Sequence, residues 1–161
     1  MRIFLLALSV LLFCSCASFR DTETANSVTI KEIEPRYMEA EDFKRIKEYF
    51  TGAENKGNRI ILRTTSGERA GYYFIVFLDK KAPRLPSGAE VVAEFITDAS
   101  PEPREYRFEL PSSPPSTKEI LVGLTGEENP GRESIPSAWR FTLEDGDGEI
   151  LDQRASYLWK L

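Results

Sequence analysis

Few residues in this chain belong to the types that most often perform chemistry. The 161-residue sequence contains no histidine, and its two cysteines, Cys14 and Cys16, flank Ser15 near the N-terminus. Without histidine the chain lacks the commonest general base, the base of Ser-His-Asp triads and a frequent transition-metal ligand. No serine stands in a Gly-x-Ser-x-Gly or Ser-x-x-Lys pattern. We therefore predict no catalytic residues, no metal ligands and no cofactor.

The side-chain carboxylates are the remaining candidates for catalytic or ligating groups, and they allow one enzymatic alternative. A small histidine-free hydrolase could use a pair of carboxylates, as glycosidases do. Asp79 follows an apolar segment and is the best single candidate, although a cap at the end of a strand, or a turn residue, is the simpler interpretation. The acids of the irregular stretch 127–136 could line a cation or partner site, but a solvated loop is the simpler interpretation. These acids are Glu127, Glu128 and Glu133.

A short acidic segment near the C-terminus has the spacing of a calcium loop but not its full pattern. Asp145 and Asp147 alternate with glycines, as ligands around a hard cation would. An EF-type loop requires Gly at its sixth position and Glu at its twelfth, where this chain has Ile150 and Ser156. The segment is therefore predicted to be the turn of a β-hairpin, for which Asp-Gly pairs are typical.

The N-terminus has the pattern of an export signal. Arg2 precedes an apolar run over residues 3–13, which is too short for a membrane crossing of about 20 residues. Small residues then surround the two cysteines. The Ser15-Cys16 junction resembles a bacterial lipoprotein signal, in which a small residue precedes a cysteine that receives lipid and becomes the new N-terminus.

This resemblance implies a membrane anchor and a location. Residues 1–15 would be removed as a signal peptide, Cys16 would carry the lipid, and residues 16–27 would form a flexible tether. In a host with two membranes, the absence of aspartate after the cysteine implies sorting to the outer membrane. The alternative is cleavage after Ala17, which would release a soluble periplasmic or secreted protein.

The remainder, residues 28–161, is the size of one domain. The spacing of its apolar residues predicts one helix near residues 39–50, followed by a series of strands. Phe43, Ile46 and Phe50 recur at helical spacing, and we expect this stripe to cover a sheet. The first strand should end at Pro35 and the last should extend to Trp159.

Several apolar segments alternate with turn residues in a way typical of a β-sandwich. We predict a mainly β fold with one short N-terminal helix, an immunoglobulin-like sandwich, with a split β-barrel as the alternative. Residues 71–79 are apolar on both faces and should form a central strand. We expect one core to contain residues from three of the predicted strands: Phe74, Val76, Phe108, Trp139 and Phe141.

Charge and pattern together limit the functional classes. The formal net charge of −5, with basic residues scattered among acids, disfavours nucleic-acid binding. We expect a lipid-anchored protein of the bacterial envelope that acts as a non-catalytic binding or structural module. Its partners would be the membrane, through the N-terminal lipid, and an envelope protein or glycan.

Overall fold

Eight strands form two four-stranded sheets that pack face to face. The computed structural model describes residues 27–98 and 100–160, so the predicted signal peptide, Cys16 and nearly all of the tether lie outside the described residues. The strands are β1 (Ile30–Met38), β2 (Ile60–Arg63), β3 (Gly71–Leu78), β4 (Glu90–Thr97), β5 (Ser100–Glu109), β6 (Glu119–Thr125), β7 (Ala138–Glu144) and β8 (Ile150–Ala155). The first sheet has the order β1-β3-β6-β2 and the second β5-β4-β7-β8. The predicted all-β sandwich is confirmed, and the strands do not close into a barrel within the described residues.

The main core lies between the sheets and is rich in aromatic rings. Phe74 of β3 lies with its ring centroid 4.9 Å from that of Phe95 on β4 and 5.3 Å from that of Phe141 on β7. Trp139 packs against both Phe74 and Phe141 at the margin of this core. Phe74, Val76 and Phe141 are fully buried, as predicted, whereas Phe108 and Trp139 are partly buried against the same cluster. Non-polar side chains on the facing sides of both sheets therefore form one interior.

A second, smaller core covers the outer face of the first sheet. It joins Tyr73 and Ile75 of β3 to Ile61 of β2 and Leu121 of β6, with Phe43 packed onto them. Strand β3 lies between β1 and β6 and buries both of its faces, which confirms that it is a central strand. The segment between β1 and β2 therefore forms a third layer over this sheet.

The two sides of the sandwich differ. At one side, β8 is joined to β1 by side chains: the Ile30 N–H donates to Asp152 Oδ2 at 2.6 Å, and Arg154 Nε donates to the Ile30 carbonyl at 3.0 Å. At the other side, the edge strands β2 and β5 have no such link among the described residues. A groove of about 740 Å³ lies between them, lined by Ile60, Leu62 and Leu110 among others.

The predicted helix over residues 39–50 is wrong. The structure has a 3-10 turn at Ala40–Phe43 and a single α-helical turn, α1, at Glu48–Thr51, with extended backbone at Lys44 between them. Phe43 is buried, but Ile46 and Phe50 are 79% and 85% exposed. The helical spacing does not predict the structure because, of these three residues, only Phe43 has an apolar surface to cover. The helical turn α1 is held instead by the carboxylate of Glu48, which pairs with Arg69.

Two strand boundaries also differ from the predictions. Pro35 does not end β1, which continues to Met38 with Pro35 opposite Phe74. Because β1 is an edge strand, the missing N–H of proline need not interrupt the pairing with β3. Strand β8 ends at Ala155, and Tyr157–Lys160 form a 3-10 turn. Arg140 of β7 lies 4.8 Å from the ring of Trp159 and holds this turn beside the sheet.

Within the described residues, no helix is both long enough and apolar enough to cross a membrane.

The aromatic core predicts a graded response to truncation. Phe141→Ala should lower the free energy of unfolding by about 3 to 5 kcal/mol, because it removes a fully buried ring and leaves a cavity. Phe108→Ala should cost clearly less, since its ring is only partly buried. Urea denaturation followed by circular dichroism measures both, with Ile135→Ala, at an exposed position, as the control. Equal losses at positions 108 and 141 would contradict this description of the core.

Candidate functional site

Asp79, the best single catalytic candidate from the sequence, is a structural cap. Its Oδ1 accepts a hydrogen bond from the Thr29 N–H at 2.7 Å, where the chain enters β1. This hydrogen bond is the main reason that the pKa of Asp79 lies below its usual value. A permanently ionised carboxylate suits a cap of this kind, and it cannot donate a proton at neutral pH.

The acids of the irregular stretch 127–136 do not form a cation site. Glu128 instead accepts a hydrogen bond from the Tyr106 hydroxyl at 2.6 Å and pairs with Arg104 at 2.9 Å. Burial, followed by the hydrogen bond to Glu128, raises the pKa of Tyr106 to about 12, so its hydroxyl remains a donor. Among the described residues, no group of three acidic, histidine or cysteine side chains could hold a metal ion.

The acidic segment near the C-terminus is a hairpin turn, as predicted. Asp145 Oδ1 accepts hydrogen bonds from the N–H groups of Asp147 and Glu149, both at 2.9 Å. Gly148 has a φ of 82°, which closes the turn between β7 and β8. The carboxylate of Asp145 therefore satisfies the chain's own backbone.

The paired-carboxylate alternative also lacks support in the described residues. A glycosidase acid needs a raised pKa to stay protonated at neutral pH. The carboxyl groups with a displaced pKa all have it lowered; they are Glu41, Glu48, Glu54 and Asp79. Their partners stabilise the ionised form, which suits structural pairing.

The interaction that sequence analysis missed lies under the segment between β1 and β2. The ring of Phe43 packs 4.8 Å from that of Tyr73, and the guanidinium carbon of Arg63 lies 4.8 Å from the Phe43 centroid. Arg63 Nε donates to the Tyr73 hydroxyl at 2.8 Å, and that hydroxyl donates to the Arg69 carbonyl at 2.8 Å. Burial raises the pKa of Tyr73, so the hydroxyl keeps its proton. Aromatic packing and hydrogen bonds thus meet at one tyrosine.

Two glutamates extend this arrangement to the covering segment. Glu54 receives two hydrogen bonds from Arg63, at 2.8 and 2.9 Å, which lower its pKa. Glu48 of α1 accepts the Asn55 N–H at 2.9 Å and pairs with Arg69 at 2.6 Å. The Arg63 side chain is only 3% exposed, so its charge depends on Glu54 for compensation.

Because α1 is held by Glu48, the apolar side chains of α1 and of the residues just before it point to solvent. Ile46, Tyr49 and Phe50 are 79%, 78% and 85% exposed. Cationic side chains without an ion pair among the described residues lie in the same stretch: Arg45, Lys47, Lys56 and Arg59. We call residues 44–59 the basic-aromatic segment. It combines exposed rings with unpaired positive charge, a combination typical of binding surfaces.

The basic-aromatic segment ends at the open side of the sandwich. Lys56 and Arg59 line the groove between β2 and β5. Lys56 Nζ donates to the Ile61 carbonyl at 3.3 Å and so occupies one acceptor of the β2 edge. A lysine placed in this way protects an edge strand from pairing with another chain. The open side is therefore better suited to side-chain recognition than to the addition of a strand.

Comparison with known proteins adds little to this geometry. No family model matches the chain, and no curated protein matches it. Among solved structures, the chain is similar to an immunoglobulin-like protein from Pseudomonas aeruginosa at 14% identity, with a TM-score of 0.32. The similarity covers 80% of this chain and 93% of that one. A TM-score this low does not support a fold assignment, which rests instead on the strand pairing described above.

The glutamate pairs predict a pH-dependent stability. Glu54→Gln should lower the free energy of unfolding by about 1 to 3 kcal/mol at pH 7, because it leaves the buried Arg63 charge without its counter-ion. Folding lowers the pKa of Glu54. Its contribution to the free energy of unfolding is therefore complete above the pKa of the unfolded chain, about 4.3, and is lost as pH falls through the lower pKa of the folded protein. The difference between wild type and variant should therefore narrow below about pH 4.

Urea denaturation at a series of pH values measures this effect. Glu68→Gln is the matched control, since Glu68 is exposed and forms no ion pair among the described residues. A constant difference between wild type and Glu54→Gln from pH 7 down to pH 3 would show that Glu54 acts through packing and not through its charge.

Proposed function

We propose that this protein is a lipid-anchored protein of the bacterial cell envelope whose β-sandwich is a non-catalytic binding module. One observation carries the proposal: exposed rings and cations without an ion pair are gathered in the basic-aromatic segment, which crosses the outer face of the first sheet. The segment begins near the far end of β1, and its last residue, Arg59, lies toward the end where the described chain begins, because Ile60 is paired through β6 with Val76 of β3.

The pairing of β1 with β3 defines the two ends. Ile30 lies opposite Leu78 near the start of the described chain, and Met38 lies opposite Gly71 where the chain leaves toward the basic-aromatic segment. Lys80 Nζ donates to the Ser27 carbonyl at 3.0 Å and fixes the starting end. With nine residues at about 3.3 Å each, β1 separates the two ends by roughly 25 to 30 Å.

The sequence supports an anchor at the starting end. Residues 16–27 would connect the lipid on Cys16 to β1, with a root-mean-square reach of about 5 to 6 Å × √n for a flexible chain of n residues. This length lets the domain stand beside the membrane surface without embedding any of its strands. The same sequence pattern favours the outer membrane as the destination in a host with two membranes.

A binding role is also the function that the side chains favour. The carboxylates with displaced pKa values serve as caps and ion-pair partners, and their ionised state is stabilised. In contrast, the rings of Tyr49 and Phe50 are exposed, and no ion pair among the described residues involves Arg45, Lys47, Lys56 or Arg59. Exposed aromatic and arginine side chains contribute most to binding free energy when a partner molecule buries them.

The lipid anchor predicts one essential cysteine. Metabolic labelling with a fatty-acid probe should tag the wild-type protein, and Cys16→Ala should abolish the tag. Cys14→Ala is the matched control and should retain it, because Cys14 follows the bulky Phe13. A label that persists in Cys16→Ala and disappears in Cys14→Ala would move the attachment site, and no label in the wild type would favour cleavage after Ala17.

The location is tested separately by membrane fractionation of a two-membrane host. The wild-type protein should separate with outer-membrane markers, because Ala17 and Ser18 follow the cysteine where retained lipoproteins carry aspartate. Cofractionation with inner-membrane markers alone would contradict this assignment without affecting the anchor itself.

A further inference from the structure

Two arginines in the basic-aromatic segment are placed without any counter-ion. Neither the Arg45 nor the Arg59 guanidinium has an ion pair or hydrogen bond among the described residues, and Arg59 Nε is buried without a partner. A buried polar group without a partner costs about 1 to 3 kcal/mol, and more when it is charged. Native proteins seldom leave such a group unsatisfied, and a bound ion or ligand is one common explanation.

The fold holds both arginines in place. The guanidinium carbon of Arg59 lies 5.7 Å from the centroid of Phe43, on the same ring that Arg63 contacts. Arg45 lies over Gly57, where an added Cβ would collide with its guanidinium. Gly57 has a φ of 57°, and its N–H donates to Asn55 Oδ1 at 3.0 Å. The turn that contains Gly57 therefore leaves the space that Arg45 occupies.

The two arginines are close enough to repel each other. Burial lowers the pKa of Arg59, and the charges of Arg45 and Arg63 lower it further. Arg63 forms an ion pair with Glu54, whereas Arg45 and Arg59 form none among the described residues; the charges of Glu54 and Glu48 offset only part of the lowering of the Arg59 pKa. An anion beside the terminal nitrogens of both arginines would offset this repulsion.

The charge distribution of the chain favours an anion at this place. Residues 44–63 contain six lysines and arginines and two glutamates, a formal charge of +4, in a chain whose total is −5. The rest of the chain therefore carries −9. An anionic ligand is repelled by most of the surface and attracted to this segment, which increases its rate of encounter with it.

We propose that Arg45 and Arg59 form a binding site for a phosphate monoester. Such a group carries about −1.5 to −2 charges at neutral pH and three strong acceptor oxygens. Its charge can balance both guanidiniums, whereas a single carboxylate balances only one. The phosphate could belong to a glycan or to a lipid headgroup, and the chemistry of recognition is the same for both. This inference does not depend on the lipid anchor.

Thermal unfolding with added inorganic phosphate tests the site. The mature wild-type protein, in non-ionic detergent if it is lipidated, should show a saturable rise in Tm with phosphate that acetate at equal ionic strength does not produce. Isothermal titration calorimetry should give a Kd for phosphate that is weakened at least tenfold in Arg45→Gln and in Arg59→Gln. Arg84→Gln, at an exposed arginine in the 3-10 turn after β3 that forms no ion pair among the described residues, should bind like the wild type.

A comparison of two phosphate ligands identifies the source of the phosphate, and a charge-conserving variant separates loss of binding from misfolding. Glucose 6-phosphate and vesicles containing phosphatidic acid present the same monoester as a sugar phosphate and as a headgroup, and the tighter ligand indicates the source. Arg59→Lys keeps the charge but not the guanidinium, so it should fold normally and bind phosphate weakly. Equal stabilisation by acetate and phosphate, or equal weakening in Arg84→Gln and Arg45→Gln, would overturn the proposal.

Discussion

The apolar character of both faces of β3 is the constraint on which the rest of the structure depends. Phe74 and Val76 on one face and Tyr73 and Ile75 on the other are all buried. A strand of this kind cannot lie at the surface of a two-layer sandwich, because one apolar face would remain in water. The second sheet covers the first face, and the segment between β1 and β2 must cover the second. The third layer is thus a requirement of the β3 sequence.

The way this third layer is attached explains the unusual surface that it presents. A helix with an apolar stripe would have buried Ile46 and Phe50 and left its charges in water. Here only Phe43 enters the outer core, and the rest of the attachment uses hydrogen bonds from Arg63 and Arg69 to glutamates of the covering segment. Since the glutamates face the sheet, Ile46, Tyr49 and Phe50 face outward. The exposed surface is the consequence of a polar attachment to an apolar sheet.

The parts of this fold that sequence analysis predicted are those where one local pattern determines the structure. The apolar segment at residues 71–79 and the Asp-Gly pairs that begin at Asp145 each describe a single element, and the structure agrees with them. The helix near residues 39–50 failed because its spacing does not show which side chains have a surface to cover. Arg45 and Arg59 escaped notice for a related reason. They are separated by a turn at Gly57, and only the folded chain brings their charges together.

The same polar attachment links stability to the proposed site. Glu54 compensates Arg63 and Glu48 compensates Arg69, so both acids near the cluster are already engaged. If either were free, it could turn toward Arg45 or Arg59 and neutralise the site from within the chain. Because both acids already pair with arginines beneath the third layer, they offset the charge of Arg59 only from a distance. The proposed phosphate would therefore supply the direct counter-ion that Arg45 and Arg59 do not have among the described residues.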